Sequence, residues 1–124
     1  MTLLKGSKRE LLQALRKASR PTLLVTGTPH YLEGLSEEEL EEVYLYVVKN
    51  PLSLNLYDLN LKVKEVVFDA SPFIEAQGHL RAQLDWLKGY LKATGAKLTL
   101  FCPPRYDPRL KREVAAIRWL EDEP

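Results

Sequence analysis

Two apolar runs, Val66–Phe68 and Ala96–Cys102, flank a segment whose helical start and stop are both written in the sequence, and this unit constrains the fold more than anything else in the chain. Ser71 suits an N-cap, because its hydroxyl can accept from an unpaired N–H of the first turn. Pro72 suits the first helical position, where its missing N–H costs nothing. Phe73, Leu80, Leu84, Leu87 and Leu91 then form one apolar stripe, and Gly95 ends it. Two buried strands joined by such a helix are what a parallel crossover requires, so Val66–Pro104 is expected to be a strand–helix–strand unit.

The flanking sequence extends the alternation. Ser7 and Glu10 have capping-box spacing, and Leu11, Leu12, Leu15 and Ala18 recur on one face until Pro21, which predicts a helix over 8–19. Thr22–Gly27 reads as a buried strand followed by the loop TPHYLEG. Ser36 and Glu39 repeat the capping box, Leu35 and Leu40 fit a hydrophobic staple, and Leu40, Val43, Tyr44, Val47 and Val48 continue a helical face to Pro51. The Glu37–Glu39 carboxylates then belong to the first turn of that helix, where the macrodipole favours them.

Leu52, Leu54 and Leu56 alternate, and Leu59, Leu61 and Val63 alternate in the opposite phase, so Pro51–Lys64 is expected to be a strand or a hairpin turning at Asp58–Asn60. Asp107 and Pro108 open a last helix carrying Leu110, Val114 and Ile117. The expected fold is α/β: residues 1–124 as one domain, a mostly parallel or mixed sheet of about four strands, and four helices packed on it.

Composition narrows the role. A chain of 124 residues has room for one core, and 45% hydrophobic with 28% charged residues is a globular balance. Eighteen basic against 17 acidic residues leave +1, so no overall charge marks a nucleic-acid or anionic-membrane binder. Cys102 is the only cysteine, which excludes an internal disulfide and a multi-thiolate metal site and suits a reducing cytoplasm. MTLLKGSKRELL lacks the apolar core of a signal peptide, and no stretch approaches the ~20 apolar residues of a membrane span, so a cytoplasmic protein without membrane contact is expected. Few Cys, Met, Asn and Gln beside many Glu, Lys, Arg and Pro give a thermophile-like composition.

The segment VVFDASPFIEAQGHLRAQL (Val66–Leu84) resembles the F-[IM]-D-S-S-G-L region of STAS domains, the fold of anti-sigma-factor antagonists, with Phe73, Ile74, Glu75, Gly78 and Leu84 in register. ATGAKLTLFCPP (Ala93–Pro104) is similar to the Gly-led strand that follows in that family, and Thr22–Asn50 to its earlier strand and first helix. The resemblance implies a protein-interaction module. It departs from the family at the phosphorylatable serine, where this chain has Ala76 followed by Gln77, and in the inserted Pro51–Lys64. A phosphorylation switch is therefore not expected.

The richest polar constellation is Asp69, Ser71, Glu75 and His79. Asp69 ends a buried strand, where α/β sheets place ligands, and Glu75 and His79 share one side of the next helix at i,i+4. Together they have the donor types to hold Mg²⁺ or Mn²⁺, or to supply a carboxylate and an imidazole for phosphate-ester hydrolysis. Helix capping by Asp69 and Ser71 with a solvated Glu75–His79 pair accounts for the same residues. No P-loop, zinc, nucleophile-elbow or dinucleotide motif accompanies them, so no residue is assigned as catalytic or metal-binding and no cofactor is expected.

Asp69, Ser71, Glu75, Gln77, Gly78, His79 and Arg81 are the candidate partner- or ligand-binding positions, with the partner another protein or a second copy paired through Leu52–Val63. His30 and Tyr31, after the first predicted strand, face the same crevice if that strand and Asp69 are neighbours. Cys102 reads as a small buried hydrophobe. The basic sets Lys8, Arg9, Arg16, Lys17, Arg20 and Arg105, Arg109, Lys111, Arg112, Arg118 offer a third role, weak nucleic-acid binding, if the fold joins them on one face.

Overall fold

The computed structural model describes residues 2–5, 7–48, 62–70 and 80–102. Five strands form its sheet: β1 (Thr2–Lys5), β2 (Thr22–Thr26), β3 (Val43–Val47), β4 (Glu65–Asp69) and β5 (Lys97–Cys102). Their order is β1-β5-β4-β2-β3, and every neighbouring pair is parallel. Helix α1 (Lys8–Lys17), a 3-10 helix (Pro29–Gly34) and helix α2 (Leu80–Thr94) complete the described elements. The α/β class and the parallel sheet are as expected; the sheet, put at about four strands, has five among the described residues, and the helix anticipated after Asp107 lies outside them.

Parallel strands are usually covered on both faces, and β2 and β4 have the composition for it: TLLVT is buried throughout, and in EVVFD only Glu65 keeps partial exposure. Helix α1 supplies one cover. The chain leaves β1 at one edge and returns as β2 on the far side of β5 and β4, so α1 must cross both. Leu11 and Leu15, one turn apart, are fully buried in a cluster with Leu24, Val67 and Phe101, one residue from each of β2, β4 and β5. Leu12, Tyr31, Leu32, Leu40 and Val43 pack on its flank.

The β4-to-β5 connection runs the opposite way along the sheet, and right-handed crossover puts α2 on the other face, with Leu87 and Tyr90 buried. Gly95 ends α2 as expected. Its φ is +70°, open to glycine at little cost, and its N–H bonds Leu91 C=O at 2.8 Å.

Three expectations change. The helix predicted over 36–50 is one capped turn followed by β3. The Ser36–Glu39 box does close, with Glu39 N–H to Ser36 Oγ at 3.2 Å and Ser36 N–H to Glu39 Oε1 at 3.0 Å. It caps only the turns to Glu42, whose φ of +58° reverses the chain into VYLYV. Valine and tyrosine favour strands, and pairing with buried β2 outweighs the helical spacing of the same residues. Strand β1 was not anticipated, because four residues are too few to show a period. Helix α1 ends at Lys17, and Ser7 does not cap a backbone N–H: its hydroxyl donates to the Glu10 carboxylate instead. Of the expected strand or hairpin Pro51–Lys64, residues 51–61 lie outside the described residues, and Lys62–Lys64 are not strand.

Truncating Leu15 to alanine is expected to lower stability by about 2–5 kcal/mol, because α1 cannot collapse onto three strands to fill the cavity. Gln13→Ala, on the exposed face of α1, should stay within about 0.5 kcal/mol. Urea unfolding of the two variants measures the contrast.

Candidate functional site

Connections leave β2 towards β3 and β4 towards β5 in opposite directions, so the carboxyl ends of these adjacent strands form a topological switch point, where open α/β sheets hold ligands. Asp69 is the last residue of β4 and Thr26 the last of β2. In-register pairing from Thr22↔Glu65 to Val25↔Phe68 brings them side by side, and Thr26 Oγ1 donates to Asp69 Oδ2 at 2.9 Å.

A buried carboxylate needs compensation, and Lys8 provides it. Its ammonium lies 2.8 Å from Asp69 Oδ2; the carboxylate side chain is 1% exposed and the lysine's 38%. The same ammonium stands 4.8 Å from the Tyr31 ring centre and 5.3 Å from that of Phe101, within cation–π range of both. Lysine in the first turn of a helix opposes the macrodipole, so its place in α1 is explained by the carboxylate it meets rather than by the helix.

Tyr31 closes the cluster from the 3-10 helix. Its hydroxyl is buried and has no hydrogen-bond partner of normal geometry among the described residues, while the nearby Thr26 hydroxyl donates to Asp69. Burial pushes the phenol well above its ordinary value; the Asp69 charge adds to the rise and the Thr26 hydroxyl offsets part of it.

The candidate positions from sequence separate sharply. Asp69 ends buried strand β4 as expected, and Tyr31 lies beside it, across the same Lys8 ammonium. His30, beside it, is exposed. Ser71, Glu75, Gln77, Gly78 and His79 lie outside the described residues, so their convergence on Asp69 does too. Arg81 falls in the first turn of α2, with its side chain outside the described set, and Cys102 ends β5.

Among the described residues no group of three or more acidic, histidine or cysteine side chains is placed to hold a metal ion. Asp69 Oδ2 already faces an ammonium where a cation would stand. Lys8 itself was counted in sequence only as part of a basic helix; its partner is 61 residues away, and only its position against the helix dipole hinted at one.

Much of that basic helix is spent internally. Arg16 pairs with Glu39, and Arg20 donates to the carbonyls of Leu15, Ala18 and Glu39 and to Thr22 Oγ1, fixing the carboxyl end of α1. Arg105, Arg109, Lys111, Arg112 and Arg118 lie outside the described residues. Among the described residues, no helix is long and apolar enough to cross a membrane.

In comparisons with known proteins, no family model, no curated protein and no solved structure matches this chain.

Two outcomes follow from the cluster. Lys8→Met leaves a buried carboxylate without its counter-charge and should cost about 1–3 kcal/mol, part of which Asp69→Asn in the same chain restores; chemical denaturation of the two singles and the double measures the coupling. Tyr31 titrates higher in the folded than in the unfolded chain, so its contribution is fully present below the unfolded value of about 10 and is lost as pH rises beyond it. Thermal unfolding of Tyr31→Phe across that alkaline range should show a shallower fall than the parent, with at most ~1 kcal/mol change at neutral pH.

Proposed function

We propose that this chain is a cytoplasmic, non-catalytic protein-interaction module, of the STAS-like kind that Val66–Leu84 and Ala93–Pro104 resemble. The observation that carries the reading is strand β3. It is the last strand in the sheet order, has no further described strand on its outer side, and exposes Tyr44, Leu45 and Val47 at 44%, 44% and 36%. An open sheet edge with uncharged, apolar side chains is a surface for protein partners.

The polar cluster supports the same reading from the other side. Asp69 is engaged by Lys8 and Thr26, which suits a latch between α1 and the ends of β2 and β4 better than a free general base or metal ligand. The partner is another protein or a second copy of the chain. Nucleic acid is a weaker fit, since Lys8, Arg16 and Arg20 already have protein partners.

The test sets this role against metal-dependent phosphate-ester hydrolysis centred on Asp69. Titration calorimetry with Mn²⁺ should give no binding heat at millimolar metal, and p-nitrophenyl phosphate should not turn over above the buffer rate. Mn²⁺-dependent hydrolysis that Asp69→Asn abolishes, while circular dichroism stays unchanged, would overturn the proposal.

A further inference from the structure

The hydrogen-bond phase of β3 decides which of its main-chain groups are open. Thr22 N–H bonds Glu42 C=O at 2.9 Å, and Val48 N–H bonds Thr26 C=O at 2.8 Å, so Glu42 and Val48 turn towards β2. The strand alternates with a period of two, and Tyr44 and Tyr46 therefore turn the same way. Val43, Leu45 and Val47 direct their N–H and C=O groups to the outer edge. Among the described residues, only the Val43 N–H is already used there, by Leu40 C=O at 3.1 Å.

The sequence of that edge is a palindrome. Val43-Tyr44-Leu45-Tyr46-Val47 reads identically in both directions about Leu45. Two antiparallel copies related by a twofold axis through Leu45 put valine opposite valine, tyrosine opposite tyrosine and leucine opposite leucine, each on its own face of the sheet. The phase agrees with this register: Leu45 is outward-facing, so the two Leu45 residues exchange both N–H···O=C bonds, and each Val47 N–H reaches the Val43 C=O of the other copy.

No charge, proline or glycine interrupts the five residues, the devices by which exposed edges are usually blunted. Tyr44, Leu45 and Val47, exposed in the single chain, supply apolar area for the contact.

We infer that β3 is a homodimer interface in which two copies pair antiparallel about Leu45 and extend the sheet across the twofold axis. This rests on the interaction-module reading and names its partner as a second copy of the chain. It also moves the self-pairing strand away from Leu52–Val63, of which only Lys62 and Val63 are described and neither is strand.

Light scattering after gel filtration should give twice the chain mass for the wild type. Leu45→Lys and Leu45→Asp each place like charges against one another at the axis and should halve that mass. An equimolar mixture of the two variants should recover the dimer, because only a register centred on residue 45 sets lysine against aspartate. Each substitution is at an exposed side chain, and circular dichroism checks the fold. Hydrogen exchange on the wild type gives a readout that needs no variant: the Leu45 and Val47 amides should be protected at dimer concentrations and lose at least tenfold of that protection on dilution to monomer.

A monomeric wild type, single variants that stay dimeric, a mixture that stays monomeric, or Leu45 and Val47 amides exchanging at open-edge rates would each overturn the interface. Those failures leave the non-catalytic reading to be judged by the Mn²⁺ experiment alone.

Discussion

Helix α1 holds the rest of the fold in place because of where the chain must go next. β1 and β2 are separated by two strands, β5 and β4, that come later in the sequence, and both need cover on the face that α1 crosses. Leu11 and Leu15 meet Leu24, Val67 and Phe101 together, so one short helix ties three parallel strands that share no local connection. Parallel pairing has no tight turns to set its register. The burial of side chains from α1 and α2 against the two faces, with the crossovers that carry them, does that work instead.

The same crossing carries Lys8 to the carboxyl ends of β2 and β4. α1 runs back across the sheet, so its first turn meets Asp69 and the chain just past its end meets Glu65, where Ser19 N–H donates to the Glu65 carboxylate at 3.2 Å. Asp69, Thr26, Lys8, Tyr31 and Phe101 thus form a polar knot roofed by two aromatic rings at the position where related architectures open a ligand crevice. Here the ammonium fills the place opposite the carboxylate. That arrangement favours a structural part for Asp69 and moves attention to the sheet edge, where β3 leaves main-chain and apolar groups facing outwards.

Several elements were legible because their signals are local. The buried runs of β2, β4 and β5 are continuous and apolar, and Gly95 marks the end of α2 through its own backbone conformation. Residues 36–48 show where local signals mislead. The capping box at Ser36 and Glu39 is real and its hydrogen bonds form, yet a cap specifies only a beginning. Whether a helix or a strand follows depends on what the next residues can pair with, and Val43–Val47 lies against β2. Lys8 was hidden for the complementary reason: its meaning lies in a carboxylate 61 residues away.

By itself the sequence determined the α/β class, the buried strands, the start of α1 and the placing of Asp69 at a strand end, since each follows from runs, caps and breakers within a few residues. It also contained the VYLYV palindrome, without revealing that these residues form a strand. Only the tertiary structure decided the strand order, the Lys8–Asp69 pairing, the conversion of a predicted helix into β3 and its position at the end of the described strand order. All four depend on contacts between segments distant in the chain, whose free energy outweighs the weak local preferences of the residues involved.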